Sequence, residues 1–332
     1  MTDALVSGGT ALLPRVEFDA ARCKGCGLCI EACPEHIVEF EHVFNQRGVQ
    51  PAHLVHDGLA QCTACGNCAV VCPDSAVEVE NRKKPLKYGR NPLRVGDTHY
   101  CPGCDEGTVH ELLAEVIDEL GIREVTVGVA SVGCTVFAYR YIDIDWHQAA
   151  HGRATSVAWG IECQHPELRV FTLQGDGDLA GIGIGETIHA AARGDPTVVV
   201  FLNNGIYGMT GGQMAPTTLL GQKTTTSPAG RTARLQGSPI VMTEIMAAQA
   251  GCSFAVRTSV HDAPAIRRTK KYLRQAFLNQ EKNRSLSVVE ILSACPSGWK
   301  LEPVDAHQYL VKEMFPIYKP GVIKEPPGGM PR

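Results

Sequence analysis

The sequence predicts a parallel α/β sheet with helices on both faces, preceded by a small cysteine-rich α+β domain. Three observations support this fold class. From residue 98 onward, apolar strand-like runs alternate with amphipathic helices, which is the pattern of a parallel sheet. Two short runs within residues 16–80 hold eight of the fourteen cysteines. The chain has 332 residues, which is enough for two or three domains.

Composition and charge limit the classes of function. The chain is 44% hydrophobic and 20% charged, which is ordinary for a folded protein. Its net charge of −4 does not favour a nucleic-acid partner, and no apolar run approaches the length of a membrane span. Many cysteines without a signal-peptide pattern indicate a reducing compartment, so we expect a cytoplasmic protein.

The two cysteine runs, residues 23–34 and 62–73, share the spacing C-x2-C-x2-C-x3-C-P. Bacterial ferredoxins with two [4Fe–4S] clusters have this spacing, and the fourth cysteine of each run ligates the other cluster. The spacing predicts one cluster held by Cys23, Cys26, Cys29 and Cys72. It predicts a second cluster held by Cys62, Cys65, Cys68 and Cys33.

Disulfide bonds and zinc sites are the alternatives for these cysteines. A cytoplasmic location disfavours disulfides, and zinc ribbons use paired C-x2-C knuckles rather than triplets that end in Cys-Pro. The long spacer between the runs, residues 40–59, predicts a hairpin over one cluster.

The segments that flank this domain lack clear periodicity. Residues 1–15 are predicted to form an N-terminal arm, either loose or binding a partner. Residues 81–97 are predicted to be a basic linker, either simply solvated or binding an acidic partner or a phosphate-rich ligand. Its basic residues are Arg82, Lys83, Lys84, Lys87, Arg90 and Arg94.

The larger domain is predicted over residues 98–300, followed by a Pro- and Gly-rich tail, 301–332, that contacts another subunit. Hydrophobic periodicity sets the order of its elements. Helices are predicted at 106–120, 152–164, 179–192, 243–250 and 263–278. Strands are predicted at 125–129, 169–173, 197–202, 254–256 and 286–292.

Two polar motifs follow neighbouring strands of this domain. Residues 175–178, Gly-Asp-Gly-Asp, follow one strand, and Asn203-Asn204 follow the next. The crossover rule makes these strands parallel, so both motifs lie at the carboxyl edge of the sheet, where α/β folds bind ligands. Aspartate and asparagine oxygens suit Mg2+ bound to a diphosphate. The glycine-rich helix start at 177–185 directs amide N–H groups toward phosphates.

These motifs match the fingerprint of thiamin diphosphate, and longer segments resemble the β subunits of 2-oxoacid:ferredoxin oxidoreductases. The resemblance covers residues from about 98 to 300. It rests on residues 100–104, 151–154, 204–213 and 216–218. The chain therefore resembles such a β subunit, with a thiamin-diphosphate-binding (pyrophosphate-type) sheet and a ferredoxin domain fused at its front.

The resemblance implies roles for individual residues. Mg2+ ligands would be Asp176, Asn204 and the carbonyl of Ile206. Other cofactor contacts would be Gly175, Gly177, Asp178, Tyr207, Thr210, Gly211 and Gln213. Met209 would lie against the thiamin rings, and His151 and Arg153 would line the same pocket.

The resemblance also implies a third [4Fe–4S] cluster beside the thiamin. Its ligands would be Cys101, Cys104, Cys134 and Cys295. Taken alone, Cys101-x2-Cys104 could equally be half of a zinc knuckle. Cys163 and Cys252 remain, and their apolar neighbours predict that both are buried packing residues.

The implied reaction is oxidative decarboxylation of a 2-oxoacid with coenzyme A, which yields acyl-CoA and CO2. Electrons would pass through the three clusters to ferredoxin or to a flavin/NAD subunit. The chain has room for one large α/β domain. An α subunit is therefore expected to supply the glutamate that activates the cofactor, together with much of the substrate pocket, and a γ-type subunit is also expected.

Substrate preference depends on weaker signals. Some relatives carry a basic residue at the position of Phe137, so an aromatic side chain there favours apolar, branched-chain or aryl 2-oxoacids. The alternative is that Phe137 packs in the core, and Arg140 nearby is a candidate to supply a positive charge. Two other functions remain open: half of a non-redox thiamin-dependent decarboxylase, and a pure electron-transfer subunit.

Overall fold

The computed structural model describes residues 13–82 and 86–329. Most of the predicted arm, residues 1–12, lies outside these ranges, as do Lys83 and Lys84. The small domain contains short elements joined by cysteine-bearing loops. They are β1 (Arg15–Phe18), α1 (Leu28–Glu31), β2 (Val38–Phe40), β3 (Ala52–Leu54), α2 (Gly58–Gln61), α3 (Asn67–Val70), β4 (Val77–Asn81) and β5 (Leu86–Tyr88).

The two cysteine runs fold in the same way. Each forms a loop that leads into a single helical turn, α1 or α3, through a glycine with positive φ. Gly27 and Gly66 have φ of 76° and 73°, a region where side chains other than glycine are strained. The spacer between the runs forms the β2–β3 hairpin, and the ring of Phe40 lies over Gly27.

The basic segment 81–97 is not a simple solvated linker. β5 pairs with β4 and completes a three-stranded antiparallel sheet, β1–β4–β5. Arg94 is buried and pairs with Glu111 at 3.3 Å, and Arg90 donates a hydrogen bond to the carbonyl of Arg94. In the described residues 86–97, these side chains satisfy polar groups of the segment itself and of the larger domain.

The larger domain is a seven-stranded sheet in the order β14-β12-β13-β9-β8-β6-β7. All its strand pairs are parallel except β12–β14. Its elements are α4 (Glu106–Leu120), β6 (Thr126–Ala130), β7 (Asp145–Gln148), α5 (Ala154–Gln164), β8 (Arg169–Gly175), α6 (Ile184–Arg193), β9 (Val198–Asn203), β10 (Ile206–Tyr207), β11 (Gln213–Met214), α7 (Ala233–Gln236), α8 (Met242–Ala247), β12 (Cys252–Ser259), α9 (Ala263–Asn283), β13 (Leu286–Leu292), α10 (Pro296–Trp299), α11 (Pro303–Tyr309) and β14 (Gly321–Lys324).

The predicted parallel α/β fold is confirmed, with local differences. The strand expected at 254–256 extends over eight residues, because buried Arg257 pairs with Glu290 and therefore does not end it. The helix expected at 179–192 begins instead with a π-helical turn, Gly177–Ile182. Strand β7 was not predicted, because its residues Asp-Trp-His-Gln are mostly polar and show no strand pattern.

The C-terminal segment belongs to the larger domain. Its described part is more than a tail, because β14 pairs with β12 and Tyr318 is fully buried, whereas the expected contact of 301–332 with another subunit stays a prediction. The hydroxyl of Tyr318 donates to the carbonyl of Thr217 at 2.6 Å, which ties this segment to a loop at the sheet edge.

Close packing joins the two domains. A Cβ atom at Gly107 in α4 would lie 2.0 Å from the carbonyl oxygen of Pro73, so only glycine fits there. Ser75 also donates a hydrogen bond to Glu111 at 2.7 Å. Within the two described ranges, none of the helices combines the length and apolarity needed to cross a bilayer.

Candidate cofactor and cluster sites

The first predicted cysteine quartet surrounds one cavity of the small domain. Cys23, Cys26, Cys29 and Cys72 all line it, together with apolar neighbours that include Phe18 and Phe40. Burial raises the pKa of the Cys26 thiol to about 11 and raises that of Cys29 further. The lining of thiols and apolar groups suits a group that is larger than a single ion and bound through sulfur.

The second quartet surrounds a separate cavity. Cys33, Cys62, Cys65 and Cys68 line it, so the fourth cysteine of each run lies with the three cysteines of the other run. Burial raises the pKa of the Cys68 thiol to about 12. The ring of Tyr88 in β5 packs so closely on Gly66 that a Cβ atom there would lie 2.1 Å from it.

The third predicted quartet draws residues from distant parts of the chain. A Cβ atom at Gly208 would lie 3.1 Å from the Sγ of Cys295 and 3.9 Å from that of Cys134. Burial raises the pKa of Cys104 far above its usual value, and the neighbouring Cys295 and Cys134 contribute to that shift. Cys101 likewise contributes to the raised pKa of Cys295, so the four thiols lie within electrostatic reach of one another.

Asp176 stands at the carboxyl edge of the sheet, immediately after β8. Its carboxylate accepts hydrogen bonds from the amide of Gly177 at 2.8 Å and from the hydroxyl of Thr217 at 2.5 Å. Burial raises its pKa to about 6, while these hydrogen bonds oppose the shift. A carboxylate offers about four lone-pair positions, so two hydrogen bonds leave room for a cation.

Asn204 lies in a tight turn just after β9, the strand next to β8. The Oδ1 of Asn204 accepts a hydrogen bond from the amide of Ile206 at 3.1 Å, and its carbonyl accepts one from the indole of Trp299 at 3.0 Å. The amide of Gly205, whose φ is +66°, donates to the Oδ1 of Asn203. The turn is therefore hydrogen-bonded into a single conformation.

A buried ionic network lies beneath this turn. Asn203 donates to Glu290 at 2.7 Å, and the same carboxylate accepts from Arg257 at 2.7 Å. Both charged side chains are almost fully buried. Because Asn203 also holds Gly205, the network orients the loop that carries Asn204.

Tyr207 closes the glycine-rich turn. Its hydroxyl donates to the carbonyl of Gly177 at 3.2 Å, and a Cβ atom at Gly177 would lie 2.0 Å from its ring. The glycines of this turn are therefore required by close packing of an aromatic ring as well as by any approach of phosphate.

Asp178 is fully buried and makes structural hydrogen bonds. It accepts from His151 at 2.5 Å, from the amide of Gly152 at 2.7 Å and from Gln174 at 2.8 Å. Since its side chain has no exposure, it orients His151, whose own side chain is 31% exposed. Arg153 pairs with Glu186 at 2.6 Å and is also solvent-accessible.

The remaining predicted cofactor residues form a loop beyond Tyr207. Thr210 and Gln213 hydrogen-bond each other at 2.5 and 2.7 Å, and Met209 next to them is half exposed. Gly211 is exposed with φ of +109°. This arrangement leaves Met209 accessible at the sheet edge.

Phe137 packs against the residues just before Cys101 rather than in the deep core. Its ring lies edge-on to His99 at 5.1 Å, and the guanidinium of Arg140 lies 5.5 Å from its centroid. Phe137 and Arg140 therefore interact with each other.

The two spare cysteines differ from each other. Cys252 is buried, but Cys163 is exposed, so the prediction that both are buried is wrong for Cys163. Cys163 lies near the end of α5, where its side chain turns toward solvent. In the described ranges, no three His, Cys, Asp or Glu side chains come close enough to hold a single metal ion.

Sequence reasoning missed Thr217, Glu290 and Lys24 as supporting residues. Thr217 belongs to a segment that carries the family resemblance, so that segment could have suggested it. Glu290 is the one charged residue in the mainly apolar strand β13, and an acid in such a run is a signal that sequence alone can offer.

Two family models match this chain. Residues 130–291 match a thiamine pyrophosphate enzyme C-terminal, TPP-binding domain, and residues 22–76 match a 4Fe-4S dicluster domain. The larger domain therefore has the fold of thiamin enzymes, and the small domain is ferredoxin-like. Both assignments agree with the sheet order and the cysteine cavities described above.

Similar proteins include the ketoisovalerate oxidoreductase subunit VorA of Methanothermobacter marburgensis. It is 46% identical over 223 residues, which are 66% of this chain and 47% of that protein. The 2-oxoglutarate synthase subunit KorB of Archaeoglobus fulgidus is 35% identical over 66% of this chain and 77% of its own length. The chain spans about half the length of the VorA proteins it matches.

Solved structures that are similar include 2-oxoglutarate:ferredoxin oxidoreductase from Magnetococcus marinus, with 2-oxoglutarate, coenzyme A and succinyl-CoA bound. The TM-score is 0.56 at 26% identity, over 64% of this chain and 69% of that one.

Proposed function

Because this chain belongs to the family of 2-oxoacid:ferredoxin oxidoreductase β subunits, we propose that it catalyses oxidative decarboxylation of a 2-oxoacid together with partner subunits. The overall reaction converts a 2-oxoacid anion and coenzyme A into acyl-CoA, CO2, one proton and two electrons. The electrons leave one at a time through three [4Fe–4S] clusters.

One observation carries this proposal: a cysteine quartet lies directly beside the thiamin-type edge of the sheet. Gly208, four residues after Asn204, lies against two of these thiols: an added Cβ atom would be 3.1 Å from the Sγ of Cys295 and 3.9 Å from that of Cys134. The negative charge of Asp176 also contributes to the raised pKa of Cys295. A decarboxylase without a redox step has no use for a cluster at this position.

The residues at this edge of the sheet are suited to bind Mg2+ and thiamin diphosphate. Asp176, the side chain of Asn204 and the carbonyl of Ile206 supply hard oxygen ligands suited to Mg2+ and a bound diphosphate. Thiamin diphosphate supplies the electron sink that decarboxylation requires. The chain's own residues bind and orient it: Thr217 and Gly177 hold the carboxylate of Asp176, and Tyr207 fixes the glycine turn.

His151 is the accessible polar side chain proposed to face the substrate. Buried Asp178 accepts a hydrogen bond from its Nδ1, which fixes the ring and leaves Nε2 free to contact a ligand. Arg153, held by Glu186, lies two residues further on and supplies a positive charge for an anionic group.

We propose an apolar 2-oxoacid as the substrate, with branched-chain compounds first. The VorA relatives, named as ketoisovalerate oxidoreductase subunits, are 46% and 45% identical to this chain, against 35% for KorB. Phe137 adds an aromatic surface near the third quartet, although Arg140 stacks against it.

Partner subunits and acceptor are part of the same proposal. An α subunit supplies the activating glutamate and much of the substrate pocket, and a γ-type subunit completes the assembly. Ferredoxin, or a flavin/NAD subunit, takes the electrons.

The test is anaerobic co-purification of the chain with its partners, followed by a screen of 2-oxoacids with coenzyme A and a viologen dye. We expect dye reduction with 3-methyl-2-oxobutanoate at a higher kcat/KM than with 2-oxoglutarate. The substrate proposal fails if 2-oxoglutarate is preferred. The functional proposal fails if no 2-oxoacid supports coenzyme A-dependent dye reduction.

A further inference from the structure

The second cysteine quartet is flanked by a basic surface that the proposed reaction does not use. Helix α9 presents cationic side chains along its solvent face, and β5 approaches the start of this helix. We define the α9 basic stripe as the exposed residues Arg267, Arg268, Lys271 and Arg274.

The charges of this stripe are largely uncompensated. In the part of the chain that the structure describes, Arg268, Lys271 and Arg274 make no ion pair or hydrogen bond. Spacings of three residues place these three on one side of the helix. The whole chain has a net charge of −4, so this concentration of positive charge is a local feature.

The stripe begins in contact with the loop that holds the second quartet. The Nη2 of Arg267 donates to the Oδ1 of Asn67 at 2.8 Å and lies 3.5 Å from the carbonyl oxygen of Cys65. Asn67 stands between Cys65 and Cys68, and both cysteines line the cavity of the second quartet. A molecule bound on the stripe therefore lies next to that cavity.

The basic segment after the small domain reaches the same surface. Lys87 in β5 lines one cleft together with Arg267 and Lys270, while Tyr88 packs on Gly66 in the ligand loop. Two sequence features that are 180 residues apart, the basic segment and the basic helix, thus meet beside one cluster site.

Of the two quartets in the small domain, the first is the one joined to the loop of the third quartet. Lys24, next to Cys23, donates hydrogen bonds to the carbonyls of Thr98 and Tyr100, immediately before Cys101. The order of the sites is therefore third quartet, first quartet, second quartet, and the second is the point of exit. This ordering rests on the proposed function.

We propose that the α9 basic stripe is the docking surface for an acidic one-electron carrier protein, which takes electrons from the cluster held by Cys33, Cys62, Cys65 and Cys68. Each reaction cycle releases two electrons, and each docked carrier accepts one, so two carriers are reduced in turn. Complementary charge at the edge of such an interface raises the association rate and makes it depend on salt.

The test compares two electron acceptors on the assembled anaerobic complex. One is a ferredoxin with an acidic surface, and the other is a bis(sulfopropyl) viologen, whose oxidised form has no net charge. The variant is Arg268→Glu, Lys271→Glu, Arg274→Glu. The matched control is Lys282→Glu on the same helix, about 21 Å beyond Arg268 and more than a Debye length from it at 0.1 M salt.

We expect the triple variant to reduce ferredoxin with a kcat/KM at least tenfold lower at low ionic strength, with a weaker salt dependence. Dye reduction and the KM for coenzyme A should stay within twofold of the parent, and Lys282→Glu should resemble the parent in every assay. If the triple variant does not assemble, the single variant Arg268→Glu should show a smaller loss of the same kind.

Three outcomes overturn the docking proposal. An unchanged ferredoxin rate in the charge-reversed variant would mean that the stripe binds no partner. A raised KM for coenzyme A would assign it to a phosphate-bearing substrate, and loss of partner subunits specifically on charge reversal would assign it to a subunit interface. Dye reduction by the parent complex tests the proposed function separately, because the dye does not need the stripe.

Discussion

Lys24 offers the sharpest test of how the two domains are joined. Its ammonium lies 2.7 Å from Asp74 and donates to the carbonyl of Tyr100 at 2.7 Å and to the hydroxyl of Thr98 at 2.8 Å. The side chains of Lys24 and Asp74 are 9% and 7% exposed. Since Lys24 follows Cys23 and Tyr100 precedes Cys101, one ammonium connects the loops of two proposed clusters.

The substitution Lys24→Met removes the charge and keeps most of the volume. It leaves the Asp74 carboxylate buried without its cation, which typically costs about 3–5 kcal/mol. The double variant Lys24→Met, Asp74→Asn should recover part of that loss, because the asparagine still accepts the hydrogen bond from Thr98 and carries no charge.

Hydrogen exchange of the amides around residues 98–101 in the anaerobic holoprotein measures the local free energy of opening. The Asp74→Asn single variant completes the double-mutant cycle. Two results would refute the view that this buried pair holds the domains together. One is a decrease of less than about 1 kcal/mol in the free energy of opening for Lys24→Met, and the other is a double variant that is no more stable than Lys24→Met.

Three further substitutions test the sites. Gly177→Ala should weaken thiamin diphosphate binding more than tenfold in a calorimetric titration, because the added Cβ atom would lie 2.0 Å from the ring of Tyr207. The control is Gly185→Ala, whose added Cβ atom has no neighbour within 4 Å, and this variant should bind the cofactor normally. Cys104→Ala should remove about four irons per chain and leave the EPR signals of the small domain, whereas unchanged iron would contradict the third quartet. Burial raises the pKa of Glu162 from 4.5 to about 8, so the folded chain retains a proton there that the unfolded chain releases, and stability should fall as the pH rises from about 5 to about 8. Glu162→Gln should flatten that part of the Tm–pH profile, and an unaltered profile would rule out this origin.

The sequence by itself determined the order of the helices and strands and the type of chemistry. Cysteine spacing identified which cysteines of residues 23–72 gather together, because short loops leave a chain few ways to surround a common centre. The pattern of apolar residues placed α4 and β13 within the bounds observed, since α4 buries one face and β13 is a short apolar run buried on both. The Gly-Asp-Gly and Asn-Asn motifs were placed at one sheet edge because neighbouring parallel strands have their carboxyl ends at the same edge.

Only the tertiary structure decided which contacts join the two domains and support the sites. No local pattern could show that Lys24 reaches Tyr100, that Glu290 supports Asn203, or that Lys87 meets Arg267 beside the second quartet. Such contacts join residues that are 76 to 180 positions apart, and they depend on strand order and on how helices pack across the sheet. Sequence periodicity reports which face of an element is buried, but it does not report what that face is buried against.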